Sequence, residues 1–300
     1  MTDYGHELQF GTFISPAVHP VMQAVELAVA SDEAGLDLAT FQDHPYQPTF
    51  YDTWTLMSFA ASRTKNIHLS SNVLNLPLRQ PAVLARSAAS LDLLSKGRFE
   101  LGIGSGAFWD GIEAMGGRRL TAGQAVNALE EAIHIIREIW NTDERSGVRV
   151  DGEYYQVKGA KRGPRPAHDI GIWIGAYKPK MLKLTGRVGD GWLPSLAYLE
   201  GGLPDLTEMN RIIDEGTEAA GRKPSDIRRM LNISGQFMST RRGLLNGPVK
   251  QWVEELAEIN VEYGISSFIL AVSEPYTIDL FAHEVAPAVR ELAMATRAYR

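Results

Sequence analysis

The 300-residue chain contains no cysteine, which excludes disulfides, thiolate metal sites and a cysteine nucleophile. Nor does any apolar run approach the roughly 20 residues that a helical membrane span needs. Positive charge is in deficit: 30 Lys and Arg against 36 Asp and Glu leave a net charge of −6, and nucleic-acid phosphates demand a basic face. The start, MTDYGHELQF, has neither the basic residues nor the apolar stretch of a secretory signal. The seven histidines, at positions 6, 19, 44, 68, 134, 168 and 283, are scattered and form no HExxH, so no metal site is expected. A GxSxG nucleophile elbow is also missing. These absences leave a cytoplasmic protein with a small-molecule partner, and without nucleic-acid or membrane partners, as the expectation.

What the chain does have is alternation. Leu8 to Ile14 reads as a strand, and Val21 to Ala34 repeats apolar residues at helical spacing before stopping at Gly35. Leu38 to Phe41 is again strand-like, followed by a helix from Thr53 to Ser62 and a strand from Ile67 to Leu74. Pro81 opens the helix PAVLARSAASLDLL, Gly97 ends it, and the strand FELGIG precedes the long helix AGQAVNALEEAIHIIREIW. The second half continues with IGIWIGA, GWLPS, RRMLNISGQF and SSFILAVS, each followed by a helical segment. Eight strand-helix units favour one α/β domain over residues 1–300, a (β/α)8 TIM barrel, since parallel crossovers are right-handed and a sheet of this size closes on itself. A doubly wound open sheet remains the alternative, because periodicity does not report closure. The stretch 143–169, with strand-turn-strand signals and prolines, reads as an insertion between the fourth and fifth units, on the barrel's upper face.

In such a barrel the chemistry sits at the C-terminal ends of the strands. The residues there are Thr12, Asp43, His44, Asn72, Ser105, Gly106, Tyr177, Lys178, Ser195, Gln236 and Ser273. Polar residues also end buried strands for purely structural reasons, so the rim as a whole carries the argument rather than any one position. Asp43-His44 pairs a carboxylate with an imidazole that titrates near neutrality, fit for acid–base work; the competing reading is a turn-capping Asp and a packed His. Gly102 to Trp109, GIGSGAFW, fits neither a P-loop nor a dinucleotide fingerprint. Its glycines let backbone approach a flat ligand, which Phe108 and Trp109 would wall. GAYKPK runs straight into a helix, whose N-terminal N–H groups together with Lys178 make a candidate phosphate seat, although Lys-Pro is also an ordinary helix start. The Arg241-Arg242 pair lies in a loop, where it could meet an anionic ligand, although solvation is the more common fate of such a pair. Tyr46, Phe50, Tyr51, Trp54, Phe108 and Trp109 point to an apolar or planar substrate.

Three segments, QDHPYQ, SSNVLNLPLRQPAVLARSAASLDLLSKGRFELGIGSG and IWIGAYKPKMLKLTGRVGDGWLPS, together resemble the luciferase-like monooxygenase family, which includes FMN-dependent monooxygenases and reductases and dehydrogenases that use the deazaflavin coenzyme F420. The resemblance implies a flavin- or deazaflavin-dependent oxidoreductase, with FMN or F420 over the barrel mouth. It places Asp43 and His44 near the ring, Asn72 and Val73 in a bulge with a non-prolyl cis peptide behind it, Ser105 and Gly106 beside it, and Ala176, Tyr177 and Lys178 at its phosphate. His44 would be the acid–base residue, with Asp43 orienting it or touching the ring. An FMN enzyme would need a flavin reductase as partner, and a homo-oligomer is the family expectation. Ala107 stands where related F420 enzymes carry a glutamate, which removes one proton donor and keeps open a non-catalytic cofactor-binding protein on the same barrel.

Overall fold

The first strand sets the pattern for the rest. In β1 (Gln9–Ile14), Phe10 and Ile14 pack outward into the large apolar layer beneath the helices, where Phe10 meets Phe281 edge-on at 5.6 Å, while Gly11 and Phe13 face inward. Period-two alternation thus sorts one strand between two cores. In the computed structural model, which describes residues 3–298, the strands that follow are β2 (Leu38–Phe41), β3 (His68–Ser71), β4 (Phe99–Gly104), β5 (Ile172–Ile174), β6 (Gly191–Trp192), β7 (Arg228–Ile233) and β8 (Ser267–Val272). All pair in parallel in chain order, and β8 returns to β1, with Gln9 opposite Ser267 and Ile14 opposite Val272. The sheet is therefore a closed eight-stranded barrel, which settles the alternative of an open sheet. The small interior core is Leu38, Trp173, Leu193, Met230 and Ile269, capped by Phe13 and Val73.

Among the described residues, eight helices of two turns or more cover the outside: α1 (Gln23–Glu33), α2 (Thr53–Arg63), α3 (Pro81–Ser95), α4 (Ala122–Trp140), α5 (Pro179–Val188), α6 (Asp205–Ala219), α7 (Val249–Tyr263) and α8 (Ala286–Ala298). Their ends follow local chemistry. Asp52 caps α2 through the Thr55 N–H, Thr121 and Gln124 form a capping box at α4, and Pro opens α3 and α5. None of the described helices is long and apolar enough to cross a membrane.

Two expectations need correction. The strand read over Ile67 to Leu74 is interrupted: after β3 the chain bulges through a cis peptide between Asn72 and Val73, then resumes as Leu74–Asn75 beside Ile103 and Gly104. The cis bond itself lies where the resemblance placed it. Secondly, the 143–169 stretch forms the expected hairpin, Val148–Asp151 against Gln156–Ala160, but not on the upper face. It follows α4, and a helix of the barrel delivers the chain back to the N-terminal end of the next strand. The N–H groups of Glu153, Tyr154 and Tyr155 at the hairpin turn donate to Glu131 midway along α4, so the hairpin lies on the flank, and the residues after it bind the base, Arg162 to the carbonyls of Glu138 and Asn141 and the N–H groups of Ala167 and His168 to Asp92.

Candidate functional site

At the C-terminal ends of the strands lies a cavity of about 970 Å³. Asp43, His44, Asn72, Val73, Ser105, Gly106, Ala176, Tyr177 and Lys178 all line it, as do Ala107, Phe108, Trp109 and Tyr46. Its floor is a polar layer inside the barrel. The amides of Asn72 and Asn232 bond reciprocally at 2.7 and 2.9 Å; Asn72 also donates to Thr40 Oγ1, and Asn232 to Ser195 Oγ. The Ser195 N–H in turn donates to the Tyr177 hydroxyl at 2.8 Å. Five strands or their ends are tied across the mouth by groups that largely satisfy one another, an arrangement that holds its shape. Asn232, Thr40 and the link from Ser195 to Tyr177 escape sequence reasoning, because nothing local pairs residues 160 positions apart.

Close backbone approach explains the glycines. A Cβ on Gly104 would stand 2.8 Å from Val73 Cγ2, and one on Gly175 3.2 Å from it, so the two glycines form a notch for Val73. Gly106 has φ +94°, a conformation reserved for glycine, and packs against Pro77. Asn75 borders the same cavity, is 6% exposed, and has a buried Oδ1 without a hydrogen-bond partner. A buried acceptor of this kind is rare and calls for a donor. After β5, Lys178 and Pro179 start α5, whose first-turn N–H groups lack intrahelical acceptors and lie beside the cavity. Lys178 itself is exposed and reaches Glu200 at 3.5 Å. The glycine notch, the unpaired acceptor and the helix N-terminus fit a flat, phosphate-bearing cofactor such as F420 or FMN.

Asp43 and His44 bond to different partners. The Asp43 carboxylate is fully buried, accepts the Asn75 N–H at 2.7 Å and pairs with Arg79 at 2.8 Å. It anchors the segment after the bulge and is not the partner of His44. That partner is Tyr46, whose hydroxyl lies 2.6 Å from His44 Nδ1. The rings of His44, Tyr46 and Phe108 pack at 5.1 to 5.8 Å. Burial pulls the His44 pKa below its ordinary 6.5, and the nearby Asp43 charge offsets this only in part, so the imidazole is neutral at pH 7 and able to take up a proton. Burial, with the Asp43 charge, pushes the Tyr46 hydroxyl up to about 12. Arg79 and Asn75 are further site residues that sequence reasoning missed; for Arg79 a signal was available, since a carboxylate fated for full burial needs a cation.

Other rim candidates fall away from the cavity. The Thr12 hydroxyl turns outward to Ser31 of α1. Gln236 joins a two-residue pairing with Asn246, and the Ser273 carbonyl accepts from Gln23. Tyr51 and Trp54 pack against the outer core, and Arg241 pairs with Glu254 and Glu255. Among the described residues no group of three or more acidic or histidine ligands is gathered for a metal.

A family profile for luciferase-like monooxygenases matches residues 8–241. The chain belongs to the luciferase-like monooxygenase family. It is 34% identical over 217 residues to an F420-dependent glucose-6-phosphate dehydrogenase of Amycolatopsis mediterranei, covering 70% of this chain and 63% of that protein. It is also 34% identical over 241 residues to an F420-dependent glucose-6-phosphate dehydrogenase of Mycolicibacterium gilvum, covering 76% and 68%. The chain thus spans about two thirds of the length of these curated relatives. Among solved structures, an F420-dependent secondary alcohol dehydrogenase in complex with an F420-acetone adduct superposes with a TM-score of 0.82 over 95% of this chain and 99% of that one. At 21% identity that likeness speaks for the barrel.

Proposed function

We propose that this luciferase-like protein is an oxidoreductase that seats F420, with FMN as the alternative, over the barrel mouth and acts on a small organic substrate. The observation that carries the reading is the gathering of Asn72, Val73, Ser105, Gly106, Ala176, Tyr177 and Lys178 around one cavity with His44 on its wall. When bound, a deazaflavin supplies two-electron hydride chemistry, which no side chain performs. The chain's own part is to bind, orient and exchange a proton. Val73 in its glycine notch backs the ring, Asn75 Oδ1 accepts from the bound group, and the first turn of α5 with Lys178 receives the phosphate. His44, neutral and held by Tyr46, takes or returns the proton at the substrate oxygen. Asp43 holds the post-bulge segment through the Asn75 N–H and Arg79. A reductase partner belongs to the FMN alternative alone.

The test is a titration of the purified protein with F420 and, separately, FMN, each oxidised and reduced, followed by fluorescence. Saturable binding of F420 in preference to FMN is expected. Preference for reduced FMN would move the protein to the oxygen-using branch, and binding of neither would overturn the reading.

A further inference from the structure

The charge around the mouth is sparse. Among the described residues lining the cavity, Lys178 and Lys180 carry the only positive charges and Asp43 the only negative one, itself spent on Arg79. Both lysines lie on the turn into α5, three strands around the barrel from His44. On the His44 side the wall is Tyr46, Ala107, Phe108 and Trp109. Phe108 is 57% exposed although it flanks the cavity and touches both the His44 and Tyr46 rings. Apolar surface left open at a cavity mouth is what a ligand covers. The Tyr46 hydroxyl is already engaged with His44.

We propose that the substrate seated at His44 is an uncharged, mainly apolar alcohol or carbonyl compound and not a sugar phosphate. The proposal rests on the oxidoreductase reading and gives it a substrate class. A phosphomonoester carries about −1.5 to −2 charge at pH 7 and is recognised by charge-assisted donors, which the His44 side does not supply. A sugar's hydroxyls need paired donors and acceptors, and a wall of Ala107, Phe108 and Trp109 leaves them unmatched at a cost in discrimination. In the oxidative direction the carbinol hydrogen leaves with its electron pair to an oxidised deazaflavin, the hydroxyl proton passes to His44, and the C–O single bond becomes a carbonyl. The deazaflavin is reduced by two electrons and the alcohol oxidised by two.

The experiment uses the full chain loaded with F420 and compares glucose 6-phosphate with a homologous series of secondary alcohols, following loss of oxidised F420 absorbance. Each added methylene is expected to raise kcat/KM roughly threefold to fourfold until the wall is covered. Phe108→Ala should lower kcat/KM for the longer alcohols roughly tenfold while leaving F420 affinity within twofold. Turnover of glucose 6-phosphate as efficient as that of the best alcohol, or indifference to Phe108→Ala, overturns the proposal. Calorimetric titration of acetophenone and of glucose 6-phosphate into the unloaded protein reads the same preference without the cofactor. Failure to bind F420 or FMN would thus sink the oxidoreductase reading alone, while the acetophenone comparison still decides the substrate class: binding of acetophenone that weakens in Phe108→Ala supports it, and tighter binding of glucose 6-phosphate contradicts it.

Discussion

The two ends of the barrel use the same residue types in opposite ways. At the mouth, Asp43 and His44 are neighbours in the chain yet bond to different partners, and His44 is held below its ordinary pKa by burial. At the base, His168 reaches back to bridge Asp92 of α3 and Glu100 of β4: its Nδ1 lies 2.8 Å from Asp92, its Nε2 3.1 Å from Glu100, and His68 is 3.4 Å from the same Glu100. The hydrogen bond to Glu100, which with both carboxylate charges outweighs burial, lifts His168 to about 9. Burial raises the Glu100 pKa, but hydrogen bonds from His168, His68 and the Gly171 N–H outweigh it and leave the carboxyl below its ordinary value. A charged, mutually satisfied cluster holds strands in place; a neutral imidazole bonded only to a tyrosine is left able to react. Adjacency in sequence is thus a poor guide to which groups act together.

Arg79→Ala strands a fully buried carboxylate and should cost about 3–5 kcal/mol in urea unfolding. A loss under about 1 kcal/mol would mean the pair does not hold the mouth together. His168→Gln at the base should cost about 1.5–3 kcal/mol at pH 6, the worth of hydrogen bonds to charged groups. Its folded pKa of about 9 stands above the ordinary 6.5, so this stabilisation is complete below pH 6.5 and is lost as pH rises through about 9. The advantage of the wild type over His168→Gln should therefore shrink between pH 6.5 and 10, and a constant advantage would remove the charged cluster from the account. The smallest effect is expected for Tyr46→Phe, which deletes one hydrogen bond to His44: kcat should fall roughly twofold to tenfold with F420 affinity unchanged. Equal losses in kcat and cofactor affinity would make Tyr46 a packing residue only.

Legibility in the sequence followed the range of the interactions. The eightfold alternation, the Pro and Gly boundaries of α3 and the helix start at Lys178-Pro179 are local and were readable, whereas Thr12, Gln236 and Ser273 of the polar rim do not line the cavity. Closure of the sheet depends on β1 meeting β8, some 250 residues on, and no periodicity shows it. The hairpin at 148–160 was readable as a hairpin, but its place on the flank beside α4 comes from tertiary contact with Glu131. The family resemblance located the bulge at Asn72-Val73; the Asn72–Asn232 amide pair beneath it, and the Arg79 that neutralises Asp43, come from tertiary contact alone. Ala107 remains the residue that favours a non-catalytic protein, and the mouth answers it with His44 and Tyr46.

The central claim, that the mouth histidine works while the base histidine holds, is tested most directly by the F420-linked turnover per folded molecule of His44→Ala beside His168→Ala. The account predicts a loss of roughly 10²–10⁴-fold for His44→Ala, the usual worth of an acid–base group, and wild-type turnover for His168→Ala. Full turnover in His44→Ala, or a comparable loss in His168→Ala, would contradict it.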